Sequence, residues 1–173
     1  VRWIGVSNFN VEEMRRAQAT TPVTSLQPPY SLVSREVEHE ILPYCRSEEL
    51  GVIVYSPMAS GLLTGAMTRA RVASLPASDW RSRDVEFHEP RFSKNLALVQ
   101  RLREVGHRQG RPPGQVAIAW TLRNPAVTGA IVGARSAEQV EKNVGAAELY
   151  LTDEEIAEIE GRTTYQPELV MAV

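Results

Sequence analysis

Residues 51–57 read GVIVYSP. Valine and isoleucine branch at Cβ and favour an extended backbone. The run does not alternate with polar residues, so the expected strand is buried on both faces, as in a parallel sheet. Working outward, Val23–Gln27 reads as a second short strand, stopped by Pro28-Pro29, because proline cannot donate to a sheet ladder. Arg2–Val6 reads as a third, leading straight into Ser7-Asn8, and AVTGAIVG at 126–133 as a fourth.

Helical signals separate these strands. Asn10 with Glu13 forms a capping box, followed by Val11, Met14 and Ala17 on one face. Ser34 is expected to cap a helix with Val37, Ile41, Leu42 and Cys45 inward. Leu96, Val99, Leu102 and Val105 mark another helix, and a further one starts near Pro113 and runs past Trp120 to Leu122. Ser136 opens a helix expected to turn Val140 and Val144 inward, and Thr152 with Glu155 forms a last capping box. Residues 59–93 form a long, weakly periodic, arginine-rich loop, a length that usually signals function or disorder. Strands alternating with helices imply a parallel α/β sheet, whose ligand sites lie at the carboxyl ends of the strands. Those ends carry Ser7-Asn8, Gln27, Tyr55-Ser56-Pro57 and Gly133 to Ser136.

A chain of 173 residues can bury a real core as one domain. It has 19 basic and 21 acidic residues, a balance that argues against a nucleic-acid partner. No apolar run approaches the roughly 20 residues that span a bilayer, and no leader resembles a signal peptide. Cys45 is the only cysteine, so neither disulfides nor a cysteine metal cluster is expected, and the histidines show no metal spacing. The default expectation is a soluble cytoplasmic protein without a membrane partner.

The pieces IGVSNFN, SLQPPYSLVSREVE, PYCR, GVIVYSPMASGLLTG, EPRFS, NLALVQRL, GQVAIAW and IVGARSAEQVEKNVGA, in that order, resemble the second half of an aldo-keto reductase. The branch they look most similar to is the bacterial type that also includes potassium-channel β-subunits. The family fold is a (β/α)8 barrel, a TIM barrel of typically about 250 residues. The resemblance makes the four units here strands five to eight, a half barrel over residues 1–173, with 59–93 as its long cofactor and substrate loop. The absence of an initiator methionine agrees with an amino-terminally truncated fragment that lacks its first barrel half.

The family reduces aldehydes or ketones to alcohols by hydride transfer from a nicotinamide cofactor. Its acid is a tyrosine, set among a lysine, an aspartate and usually a histidine. All belong to the first half, so no catalytic residue is expected in this chain. Lys94, Lys142, His39 and His107 fall in helical segments and His88 in the long loop. The resemblance implies NADPH. Ser7, Asn8 and Gln27 would bond the carboxamide, whose donor and acceptor suit neutral amide and hydroxyl groups. Tyr55 would stack on the nicotinamide. Ser56, Pro57, Met58, Ala59, Ser60 and Gly61 would strap the pyrophosphate, where small residues let backbone N–H groups approach. Gly133, Arg135, Ser136, Gln139 and Asn143 would hold the adenosine end, with Arg135 and Ser136 at the 2′-phosphate. Two departures stand out: Ala66 replaces a usual lysine, and Lys142 takes a place that is often acidic.

The partner expected is a small carbonyl substrate, and the chain alone is expected to be inactive. Two noncatalytic alternatives remain: an NADPH-binding regulatory subunit like the channel β-subunits, and a half barrel that pairs with itself.

Overall fold

The computed structural model describes residues 1–162. The remaining eleven residues of the expected domain, 163–173, lie outside the described residues. Four strands form one sheet: β1 (Gly5–Ser7), β2 (Ser25–Gln27), β3 (Gly51–Tyr55) and β4 (Val127–Ile131). Their spatial order is their chain order, and every pairing is parallel. The expected α/β class with a parallel sheet holds. Each strand overlaps the stretch the sequence assigned to it, but all are shorter, and β1 is shifted to begin at Gly5 and take in Ser7.

Among the described residues, seven α-helices connect and cover the strands: α1 (Val11–Gln18), α2 (Ile41–Ser47), α3 (Arg69–Ala73), α4 (Arg91–Arg108), α5 (Pro113–Leu122), α6 (Ala137–Val144) and α7 (Asp153–Ile159). The capping boxes of α1 and α7 form as read, Asn10 with Glu13 and Thr152 with Glu155. Ser34 does not cap a helix. Its hydroxyl donates to Glu36, the chain makes a 3-10 turn over Glu36–Glu38, and α2 starts at Ile41 without a side-chain cap.

The helices cover one face of the sheet only, and this corrects the reading of β3. Val52 and Val54 are fully buried beneath the helices, whereas Ile53 points the other way and is 39% exposed. The strand therefore alternates, with burial supplying the pattern that residue type hid. Leu26 of β2 joins the buried face. Ser7, Gln27, Tyr55 and Ile131 fall in the register of the open face. Thr128 sits in a bulge between β3 and β4, where its hydroxyl accepts from the Val52 N–H.

Helix α5 is buried all round from Gly114 to Thr121. A helix apolar on every side belongs inside a core, and α5 packs against α4, β4 and the segment after β3. Trp120 packs on buried Tyr30 with ring centroids 5.2 Å apart and planes tilted by 39°, and the guanidinium groups of Arg35 and Arg123 lie 4.9 and 4.3 Å from the centre of the Trp120 ring. Glu160, its side chain 3% exposed, accepts from Trp120 Nε1 at 3.1 Å and from Arg123 at 2.8 Å, and pairs with Arg35 at 3.2 Å. The end of α7 is thereby tied to the core. Burial, then the hydrogen bond to Glu38, pushes the Tyr30 hydroxyl pKa upward.

Residues 59–93 are not structureless. They contain 3-10 turns at Ala59–Thr64, Trp80–Ser82 and Val85–Phe87, and α3. Leu62, Met67, Phe87 and Phe92 bury one another in a small second core. His39, His88 and His107 are exposed, and His39 lies in the turn before α2 rather than in a helix.

Removing the Glu160 carboxylate strands Arg123 and the indole N–H. Glu160→Ala should cost about 3–5 kcal/mol of stability in urea unfolding, while Glu12→Ala on the surface of α1 should cost less than about 0.5 kcal/mol. Burial raises the Cys45 thiol pKa from 9.0 to about 11. A folded-state pKa above the unfolded one means stability is lost as pH rises through that window. Stability of the wild type should therefore fall between about pH 9 and about pH 11 more than that of Cys45→Ala, measured by urea titration at each pH.

Candidate functional site

The strands are parallel and in sequence order, so their carboxyl ends meet along one rim. There β1 delivers Ser7, whose hydroxyl donates to the Gln27 carbonyl at 2.8 Å, and the Asn8 N–H reaches the same carbonyl at 3.2 Å. The Tyr55 hydroxyl donates to Asn8 Oδ1 at 3.1 Å. Asn8 has φ 60°, a left-handed backbone that asparagine tolerates better than most residues. Asn10 serves as the helix cap, so Ser7 and Asn8 are not used for that task. The structure thus brings Ser7, Asn8, Gln27 and Tyr55 into one linked row.

The chain leaves β3 through a strained turn. Ser56, Ala59 and Ser60 all have positive φ, at 58°, 46° and 54°, and Gly61 follows at 91°. Such conformations cost energy for residues with a Cβ and hold only where the surroundings fix them. Leu62 and Leu63, both fully buried, anchor the segment immediately afterwards. Pro57 is buried, and Met58 accepts backbone bonds from Gly61 and Leu63. A Cβ at Gly61 or Gly133 would meet nothing within 4 Å, so both backbones face open space. Ala66 is exposed, and its N–H is bonded to the Thr64 hydroxyl.

Beyond β4, residues 133–143 knit themselves together. Ser136 is the N-cap of α6 and accepts from the Gln139 N–H. The Gln139 side chain accepts from the Arg135 N–H at 2.7 Å, and Asn143 donates to the Gly133 carbonyl at 3.3 Å. The Arg135 side chain is exposed. Lys142 pairs with Glu138 one turn back on α6 at 2.6 Å. Val140 and Val144, expected inward, are 50% and 65% exposed. Helix α6 does meet α5, where Gln115 reaches the Lys142 carbonyl, but that contact leaves both valines uncovered.

One residue was missed in the sequence. Asp79, in the long loop, forks onto Arg81 and also feels the charge of Arg135. The Arg81 hydrogen bond above all, with those charges, holds its carboxyl down at about 2. That charge effect links residues 56 apart in the chain, which local pattern cannot show. Trp80 is half exposed, edge-on to Phe87 at 6.4 Å. Among the described residues no cluster of histidine, cysteine, aspartate and glutamate could hold a metal ion, and no helix is long and apolar enough to cross a membrane.

The chain is 37% identical over 142 residues to aldo-keto reductase YhdN of Bacillus subtilis, covering 82% of this chain and 42% of that protein. It is 29% identical over 159 residues to probable aldo-keto reductase 1 of Glycine max, covering 92% and 45%. The structure matches that of the glycerol dehydrogenase AKR11B4 from Gluconobacter oxydans with a TM-score of 0.85 and 34% identity, over 96% of this chain and 51% of that one. The chain thus spans about half the length of these relatives. The family model for aldo/keto reductases matches residues 1–162, from the first residue to the last described, and this chain belongs to the aldo/keto reductase family.

Proposed function

We propose that the chain is the carboxyl-terminal half of an NADPH-dependent aldo-keto reductase, strands five to eight of a (β/α)8 barrel. It would carry the cofactor half of the site, in a cytoplasmic enzyme without nucleic-acid or membrane partners. The observation that carries this reading is the linked row of Ser7, Asn8, Gln27 and Tyr55 on a single rim. Two further observations support the half barrel. Ile53 and Ile131 on the open sheet face are 39% and 46% exposed, and the relatives are about twice as long. Four more β/α units would cover that face and pair both sheet edges.

The residues present suit NADPH. A carboxamide both donates and accepts, and the amide and hydroxyl groups of the row do the same. Tyr55, fixed by its bond to Asn8, offers a ring against which a nicotinamide can lie. Backbone open to solvent at Gly61 and Gly133 leaves room for phosphate oxygens. The exposed Arg135 guanidinium can meet a 2′-phosphate bidentately, which NADH lacks. The bound cofactor supplies the hydride that turns a small carbonyl substrate into an alcohol. One neighbour is named a glycerol dehydrogenase, an alcohol and carbonyl exchange of the same kind. The chain's residues bind and orient; the proton for the alkoxide comes from the other half.

Two outcomes test this. In the full protein, Arg135→Ala should raise the NADPH Kd at least tenfold and leave the NADH Kd within about twofold, read by fluorescence titration, since a charge-assisted pair is worth roughly 1.5–3 kcal/mol. The chain alone, given NADPH and an aldehyde, should not turn over above a no-protein control. It lacks the general acid, worth about a hundred- to ten-thousand-fold, and much of the substrate pocket besides. Clear turnover by the pure chain would defeat the half-site reading.

A further inference from the structure

We infer that Gln115 is a positioning residue that sets the preference for a 2′-phosphate by holding α6 against α5. The inference rests on the cofactor reading above. Helix α6 contains no buried residue, so hydrophobic packing does not fix it within this chain. Its placement falls to the turn Gly145–Glu148 that follows it, whose Ala146 is buried, and to polar contacts. Gln115, 7% exposed in the first turn of α5, donates through Nε2 to the Lys142 carbonyl in the last turn of α6. Among the described residues, this is the side-chain hydrogen bond that reaches α6 from outside residues 133–144.

The surroundings are shaped for it. A Cβ on Gly145 would lie 2.9 Å from Gln115 Nε2 and 3.0 Å from Arg111 Nη1, so bare backbone there makes room for the amide. The amide is otherwise a liability: Gln115 Oε1 is buried without a partner, a cost that an apolar side chain of similar size would avoid. The donor half is what the residue contributes. Just before it, a Cβ on Gly114 would come within 3.3 Å of Met58 Sδ, so the strap after β3 sits on the same turn of α5. One helical turn thus sets the strap and α6 relative to each other.

A small rotation of α6 moves Arg135, Ser136 and Gln139 together. Bidentate pairing with phosphate depends steeply on direction, so the 2′-phosphate contact weakens first. Ser7, Asn8, Gln27 and Tyr55 stand on or beside strands of the sheet and do not move with α6. Loosening α6 should therefore reduce selectivity without disturbing the nicotinamide end.

The test compares four probes, NADPH, NADH, 2′,5′-ADP and 5′-AMP, on the full protein by fluorescence titration and competition. Gln115→Leu removes the donor at similar volume. Gln115→Glu sets an acceptor against the Lys142 carbonyl, and Gly145→Ala crowds the amide. Each should raise the Kd of NADPH and 2′,5′-ADP about tenfold and that of NADH and 5′-AMP less than twofold, with kcat at saturating NADPH unchanged. Equal weakening of all four probes would mean a merely structural role and overturn the inference, as would no change in any variant that melts cooperatively. Wild-type protein that binds none of the four would remove the cofactor reading itself, and the inference with it.

Discussion

Parallel pairing is the constraint on which the rest depends. Two parallel strands cannot be joined by a tight turn, so each connection must cross over, and in this chain the helices do so. Crossovers share one hand, which puts the helices on a single side of the sheet. Val52, Val54 and Leu26 then face helices, and Trp120 of α5 seals the layer with Tyr30. The same rule sends every strand in one direction. Ser7, Gln27 and Tyr55 come from segments far apart in the chain, yet they end on one rim because parallel register leaves no other place for them.

That rim also explains where strain is tolerated. Three residues with a Cβ hold left-handed backbone between Ser56 and Ser60. A free loop would relax. Here β3 pins one side and the buried Leu62 and Leu63 pin the other, so the turn has nowhere to go. The long segment beyond is held by its own small core of Met67, Phe87 and Phe92 with Leu62. Its tip lies near enough to α6 for Asp79 to feel the charge of Arg135.

How much of this was legible follows from what each signal encodes. Asn10 with Glu13 and Thr152 with Glu155 are local, reciprocal hydrogen bonds, so the sequence shows them plainly. The strand positions showed through local composition, β-branched runs stopped by proline or turn residues. Ser34 misled because a serine before a helical pattern has other partners on offer, and Glu36 two residues on took its hydroxyl. Ile53 and Val140 misled differently. Apolar character says that a side chain wants cover; it does not say that cover is present in this chain. The strand-end residues were found by resemblance as much as by chemistry. The pull of Arg135 on Asp79 and the Gln115 hydrogen bond to Lys142 both join residues far apart in the chain, and no periodicity could announce them.

Stability is distributed unevenly across the site, and the unevenness has a use. The nicotinamide end, on the proposed reading, stands on and beside strands whose opposite face buries Leu26, Val52 and Val54 and half-buries Val6, so it opens mainly when the core opens. The adenosine end stands on a helix with no buried side chain, within reach of local opening. A ligand that binds only the ordered form stabilises what it orders, so most of the ordering on binding would fall on α6 and the loop tip. Discrimination between cofactors would then be made by the part that reorganises at least cost, and hydride geometry by the part that does not reorganise. Separating the two functions in this way lets residues around α6 alter cofactor preference while leaving the reacting end untouched. A site built wholly on strands could not do so, because any change there would reach the core through Val52 and Val54.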